Sequence, residues 1–267
     1  MILTVDGRDL DFSGSSVKEL LHILGRDSED LVIIVDGYQC SPDAPLHDGE
    51  EVVLIPRGEM PPSDRLERML CARHTPGVYD RVKAARVAVA GLGGLGSCIA
   101  LALARTGVGT LHLVDFDRVE PSNLNRQQYR ICHLGMSKVE AMREEIMEIN
   151  PSVQVICDEV QVTGQNAAAL FADDPIVCEA FDAAEAKAML VNTLLADCPE
   201  TFVVAASGMA GIADANQIVS RRIGRRLYIC GDGENGARRG QGLMAPRVMV
   251  CAGHQANLAL RLILGEE

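Results

Sequence analysis

At 267 residues the chain has room for one large domain, or for a medium and a small one, and 48% hydrophobic against 23% charged residues is enough to fill a core, which excludes global disorder. A formal net charge of −12 repels free nucleic acid, and 3% aromatics with no tryptophan leave no stacking platform for single strands. No stretch joins basic residues to a long apolar run near the start and none reaches bilayer length, so the expectation is a cytoplasmic protein in which most of the nine cysteines are reduced and buried.

In chain order, residues 2–5 read as a strand, Asp6-Gly7 as a tight turn and residues 8–12 as the returning strand. Ser16-x-x-Glu19 is a capping box, and Val17, Leu20, Leu21 and Leu24 then share one helical face. Strands follow at 31–35 and 51–55, with a turn at Asp36-Gly37. Two strands, a helix and further strands within sixty residues predict a small N-terminal β-grasp (ubiquitin-like) domain over 1–57, and its sequence resembles the sulfur carrier ThiS. Residues 58–64, rich in turn formers, suit a linker.

From 65 to 267 the rhythm becomes strand, helix, strand. Strands are expected at 86–90, 110–115, 153–157, 176–181 and 202–206, with helices at 97–105, 137–149 and 183–195. That alternation predicts an α/β domain with a doubly wound, mostly parallel, Rossmann-like sheet.

Gly91, Gly93 and Gly96 fit G-x-G-x-x-G between the first of these strands and its helix, with Gly94 inside the run. Such a loop lets backbone N–H groups approach a phosphate, and the helix N-terminus adds positive potential. Asp115 ends the next strand, where an acid can bond a ribose hydroxyl. These features alone suit a nicotinamide oxidoreductase equally well. The following polar run separates the two readings. Val114, Asp115, Asp117, Val119, Ser122, Asn123, Leu124, Arg126 and Gln127, then Gly135 and Lys138, match VD-x-D-x-V-x-x-SNL-x-RQ and G-x-x-K in order and spacing. In these motifs the chain resembles the ThiF/MoeB/HesA family, the bacterial relatives of ubiquitin-activating enzymes.

The resemblance implies an ATP-dependent adenylyltransferase acting on the C-terminal carboxylate of a ThiS-like carrier, with thiamine biosynthesis as the expected pathway and a MoeB-like role in molybdopterin synthesis as the alternative. It implies that Asp115 holds the ribose and that Asn123, Arg126, Gln127 and Lys138 surround the triphosphate, with Asp117 beside them. It gives Asp182, at the end of the fourth strand of this domain, to Mg²⁺; Asp182-x-x-Glu185 is also a capping pattern. It further implies a homodimer in which Arg68, in Arg65-x-x-Arg68, reaches the partner's ATP. Arg73 is a rival, and plain surface arginines are an equal alternative. Taken singly, Lys138 reads as a solvated lysine at a helix start and Arg126 as a surface ion-pair partner.

The nine cysteines contain no C-x-x-C pair, so no zinc is expected. The segments 207–211 and 228–257 resemble a shorter, zinc-less branch of the family, the ThiS adenylyltransferases ThiF. Cys230 is the candidate for an acyl-disulfide, against the alternative of a buried structural thiol. His254, in an apolar helical context, reads as structural. The β-grasp domain has a single glycine near its end, Gly58, and continues into the chain, so it presents no free Gly-Gly carboxylate.

Overall fold

A computed structural model describes residues 1–267, the side chains at 63 and 64 excepted. The chain divides into two compact units, Met1–Arg81 and Val82–Glu267.

In the first unit, β1 (Ile2–Val5) and β2 (Arg8–Asp11) form a hairpin, and α1 (Val17–Leu24) follows. The β3 (Leu31–Val35) and β4 (Tyr38–Gln39) strands form a second hairpin, and β5 (Glu51–Pro56) completes a sheet of order β2-β1-β5-β3-β4. Asp6, Gly7, Asp36 and Gly37 all have positive φ, the pattern of type I′ turns whose twist matches the flanking strands. The expected capping box forms in altered register. Ser16 Oγ accepts from Glu19 N, while the Glu19 carboxylate accepts from Ser15 N rather than Ser16 N. Leu20 and Leu21 of α1 pack with Leu3, Ile33, Val52 and Leu54 on one sheet face. Past β5, α2 (Ser63–Cys71) belongs by packing to this same unit, and α3 (Val78–Ala84) follows it. The turn-rich composition of 58–64 gave no sign that a helix begins at Ser63.

The second unit is a seven-stranded sheet. Its strands are β6 (Arg86–Ala90), β7 (Thr110–Val114), β8 (Gln154–Asp158), β9 (Ile176–Glu179), β10 (Phe202–Ala206), β11 (Val219–Arg222) and β12 (Leu227–Gly231), in spatial order β11-β12-β10-β9-β6-β7-β8. All pairs are parallel except β11–β12. Its helices are α4 (Gly94–Thr106), α5 (Lys138–Ile149), the short α6 (Ala167–Leu170), α7 (Ala184–Asp197) and α8 (Ala245–Ile263). Period-2 alternation splits the strands between two cores: Ala88 and Ala90 meet Leu190 and Leu194 of α7, whereas the intervening Val89 faces α4 at Gly96. Because β6 lies between β7 and β9, the order reverses there, and a crevice opens at the strands' carboxyl ends. The edge hairpin β11–β12 and the long α8 were not among the expected elements. No helix among the described residues is long and apolar enough to cross a membrane.

A buried polar group pins this sheet. His112, in the middle of β7, lies 2.6 Å from Asp174 through Nδ1 and 2.8 Å from Asp158 through Nε2, and Arg86 Nε donates to Asp174 at 2.6 Å. Burial opposes charge on the ring, but the hydrogen bonds and charges of Asp174 and Asp158 outweigh it and raise the imidazole above its ordinary 6.5. A raised folded-state pKa contributes stability that is complete below about pH 6.5 and is lost as pH rises through the folded value. Urea unfolding at stepped pH is therefore expected to show a falling stability above neutrality that His112→Gln flattens. An unaltered alkaline limb in that variant would exclude His112 as its source.

Candidate functional site

The crevice holds a cavity of about 470 Å³, lined along one side by Gly91, Gly93, Gly94, Asp115, Asp117, Arg126, Gln127 and Lys138, and along the other by Asp182, Lys187, Ser207 and Gly236. The residues predicted from the glycine loop and the polar run thus converge, Gly96 and Asn123 excepted.

The glycine loop is built by close approach. Gly91 has φ +90°, and a Cβ there would stand 2.9 Å from the Phe181 ring. A Cβ on Gly96 would stand 1.8 Å from the Gly91 carbonyl oxygen, so Gly96 allows α4 to pack on the loop and does not itself line the cavity. Gly93 is the N-cap of α4, with no side-chain cap. The first-turn N–H groups of this thirteen-residue helix are left for an anion. An added Cβ on Gly93 meets only Gln127 Nε2, at 3.9 Å. Gly93→Val is therefore expected to fold normally yet weaken nucleotide binding by occupying the anion's place; unchanged affinity by calorimetry would show that no phosphate sits there.

Asp115 is buried and holds the loop. Its Oδ2 accepts from Leu92 N at 2.6 Å and its Oδ1 from Asp117 N at 2.8 Å. Tyr129 Oη donates to the Leu92 carbonyl at 2.8 Å, so Leu92 is fixed from both sides. Burial first, then the charges of Asp115 and Asp117, push the Tyr129 phenol well above its usual range, which keeps it a donor. Nothing in the motif spacing singled out Tyr129. Each Asp115 oxygen keeps a lone pair free for a ribose hydroxyl.

Lys138, the first residue of α5, is 5% exposed. The solvated lysine that its helix position suggests is not what the fold makes. Its Nζ lies 2.7 Å from Asp117 Oδ2 and 4.0 Å from Asp115 Oδ2. Arg126 is half-buried, with Nη1 donating to Ser122 O and Asn125 Oδ1. Its Nε and the Gln127 Oε1 are buried without hydrogen-bond partners, an unmet demand that a polar ligand would satisfy. Asn123 is outside the cavity lining: its Oδ1 accepts from Glu120 N at 3.0 Å and closes a 3₁₀ turn.

Across the cavity, Asp182 is exposed. The N-cap of α7 is Ala183, without a side-chain cap, so the capping role that Asp182-x-x-Glu185 suggests is not realised. Lys187, one turn into α7, was not foreseen. Its Nζ lies 3.0 and 3.1 Å from the two oxygens of Glu179, which is fully buried and also accepts from Phe181 N. Arg247 and Asp232 were missed too. Arg247 donates to the Ala210 and Ala213 carbonyls and, at 2.6 Å, to Asp232, which in turn accepts from Glu234 N and Asn235 N. This pair fixes the two glycine-rich loops that form the cavity's far wall. The sequence signal was faint: an arginine inside an apolar helix, opposite an aspartate in C-G-D-G.

Three further candidates, Arg68, Arg73 and Cys230, do not line the cavity either. Arg68 and Arg73 lie in the first unit, with Arg68 3.3 Å from Glu51 and Arg73 donating to Gln39. Cys230 is fully buried against Ser220 Oγ at 3.5 Å, and burial pushes its thiol up to about 11, so the buried-thiol reading describes it as it stands. His254 Nδ1 pairs with the same Ser220 hydroxyl, in keeping with its structural reading.

The family model for ThiF matches residues 67–267, most of the chain, and that for ThiS-like ubiquitin matches residues 1–58. The chain belongs to the ThiF family. The molybdopterin-synthase adenylyltransferase of Escherichia coli is 34% identical over 193 residues, covering 70% of this chain and 76% of that protein. Ubiquitin-like modifier-activating enzyme 5 of Caenorhabditis elegans is 44% identical over 85 residues, and the probable adenylyltransferase/sulfurtransferase MoeZ of Mycobacterium tuberculosis 42% over 103. The chain spans only 20% and 26% of those two longer relatives. Among solved structures, the E. coli tRNA N6-threonylcarbamoyladenosine dehydratase TcdA in complex with ATP superimposes with a TM-score of 0.67 at 24% identity, over 74% of this chain and 93% of that one. That likeness shows the fold of the ThiF unit.

Proposed function

We propose that this ThiF-family chain is an adenylyltransferase that joins AMP to the C-terminal carboxylate of a small ubiquitin-like sulfur carrier. The observation that carries the reading is the convergence, in one cavity, of an uncapped helix N-terminus with Arg126, Lys138 and Asp182. The chemistry needs no general base, because a carboxylate is already anionic. Its oxygen attacks the α-phosphorus of ATP, the bond to the pyrophosphate oxygen breaks, and acyl-adenylate and pyrophosphate leave as separate products. What must be supplied is the meeting of two anions and neutralisation of the charge at the reacting phosphate. The α4 N–H groups and Arg126 meet the phosphates, and Lys138 exchanges part of its Asp117 contact for a phosphate oxygen. Asp115 holds the ribose. A single cavity-facing carboxylate such as Asp182 fits Mg²⁺, which is ordinarily held by one or two carboxylates together with substrate phosphates; Mg²⁺ would neutralise phosphate charge.

The family models support a functional division near 58–64, with a ThiS-like module at 1–57 and the adenylation module at 65–267. Thiamine biosynthesis is the pathway we infer, from the ThiS-like unit and the zinc-less pattern. The 34% identity to a molybdopterin-synthase adenylyltransferase favours the second reading, a MoeB-like carrier. Homodimerisation, with Arg68 serving the neighbouring copy, would require that arginine to leave Glu51. Without a free Gly-Gly the ThiS-like unit is not itself the substrate, and it serves as a docking or regulatory module. Mass spectrometry of ThiS-like and molybdopterin-type carriers after incubation with ATP tests the reading: the true carrier gains one adenylyl group. Adenylate on the chain itself, with no carrier added, would contradict it.

A further inference from the structure

The cavity wall opposite the glycine loop carries one lysine. Among the described residues, the cationic side chains that line the cavity are Arg126, Lys138 and Lys187, and only Lys187 stands on the side of Asp182 and Ser207. Its ammonium is clamped before any ligand arrives. Nζ donates to both oxygens of Glu179, at 3.0 and 3.1 Å, and the Glu179 side chain is wholly inaccessible whereas that of Lys187 is 21% exposed. Glu179 also accepts from Phe181 N at 2.7 Å and from Ala206 N at 3.5 Å, so the same carboxylate gathers the ends of β9 and β10. Gln255 Nε2 donates to the carbonyls of Glu179 and Val204 and ties α8 to these two strands.

Stability alone does not call for this pair, since apolar side chains of similar volume often match or better a buried ion pair. An ammonium has three N–H donors, and Glu179 takes two of them. One is left that can face the cavity, where Lys187 is partly exposed. The pair therefore presents a directional donor whose net charge is already cancelled. That suits a single carboxylate oxygen better than a triphosphate, whose neutralisation falls to Arg126, Lys138 and the α4 N-terminus across the cavity. It also suits a nucleophile, because a carboxylate held by an uncancelled charge is a weaker attacker. An entering carboxylate meets Asp182, an exposed like charge, on this same wall, so a donor there has repulsion to offset.

We propose that Lys187 holds the carrier's terminal carboxylate for attack and that Glu179 is its positioning residue. The inference rests on the adenylation reading and adds a residue to it. The free N–H of Lys187 binds one carboxylate oxygen, and the other oxygen attacks the α-phosphorus. A new P–O bond forms, and the bond to pyrophosphate breaks with its electron pair leaving on the pyrophosphate oxygen. No proton moves, and Lys187 stays an ammonium throughout. Glu179 touches no reactant: it sets the direction of Nζ. Burial pushes the Glu179 carboxyl up from its ordinary value, against the pull of Lys187 and of the two backbone N–H groups. With the lysine gone it takes up a proton, so the sheet is not left with an unpaired buried charge.

The test uses the full chain, the variants Lys187→Met and Glu179→Gln/Lys187→Met, and whichever ThiS-like or molybdopterin-type carrier supports pyrophosphate exchange. Both variants should bind α,β-methylene ATP as tightly as the unaltered chain, while KM for the carrier rises at least about tenfold, the scale of one hydrogen bond to a charged group. Loaded with that analogue, the unaltered chain should bind the carrier at least about tenfold more tightly than the same carrier with its terminal carboxylate converted to an amide, and both variants should lose that preference. A merely structural lysine would leave the preference in place. An unchanged KM, a preference kept by the variants, or none in the unaltered chain would overturn the assignment and leave adenylation itself standing. Loss of nucleotide affinity in both variants would also overturn it, since the lysine would then serve the triphosphate or the strand ends alone. Exchange with neither carrier would remove the adenylation reading and this inference with it.

Discussion

Replacing Lys138 with alanine is expected to slow adenylation by about a hundredfold or more, the scale seen when one preorganised donor to a transition state is removed. The reason lies in its burial. Lys138 is 5% exposed beside Asp115 and Asp117, where water has little access, so in the proposed role its removal would leave the charge at the reacting phosphate without a counterion. Lys138→Ala also leaves Asp117 without its partner, so a lower melting temperature accompanies the loss and the rate must be read well below it. Lys138→Arg separates the two effects: it restores the ion pair while its larger planar head is misplaced at the phosphate. Arg126→Ala, at a half-buried position, should lose rate with little change in melting. Single-turnover adenylate formation for the three variants checks this. Near-normal rates in Lys138→Ala would return the lysine to a purely structural role.

Arg247→Met is expected to give the largest loss of stability of any single change considered. Arg247 and Asp232 are both nearly inaccessible, and truncating one member of a buried ion pair costs about 3–5 kcal/mol because the other is left charged and alone. For a unit of this size that is a fall in melting temperature on the order of 10 °C. The effect should also be local. The loops at 207–213 and 232–237 depend on this pair, so their amides should exchange faster even where the sheet remains protected. Calorimetry with exchange mass spectrometry measures both. A shift of only about a degree would mean that the loops are held by their own turns.

How much of this was legible follows from where the determinants lie. Local signals carried the first unit: Asp-Gly turns, a capping box and period-2 strands each fix their own neighbourhood, and the structure shows them at the expected places. The glycine loop was readable because Gly91 and Asp115 have a chemical reason for their place after a strand, whereas Arg126 and Lys138 were readable only through the resemblance of the polar run to the family motif. The limits were set by tertiary context. Gly96 and Asn123 fit the same patterns, yet one admits a backbone contact and the other closes a turn. The α2 helix escaped notice because its apolar partners lie in β3 and β5, on a sheet face that sequence alone cannot show to be uncovered. Tyr129, Lys187 and Arg247 act through partners 37, 8 and 15 residues away.

The central claim is that the cavity activates a carrier's carboxylate with ATP. Carrier-dependent exchange of labelled pyrophosphate into ATP tests it most directly, since exchange requires reversible formation of an adenylate. The account predicts exchange with MgATP and a purified carrier ending in Gly-Gly, its loss when that terminus is removed, and its near-abolition in Lys138→Ala. Tight ATP binding with no exchange for either ThiS-like or molybdopterin-type carriers would contradict it.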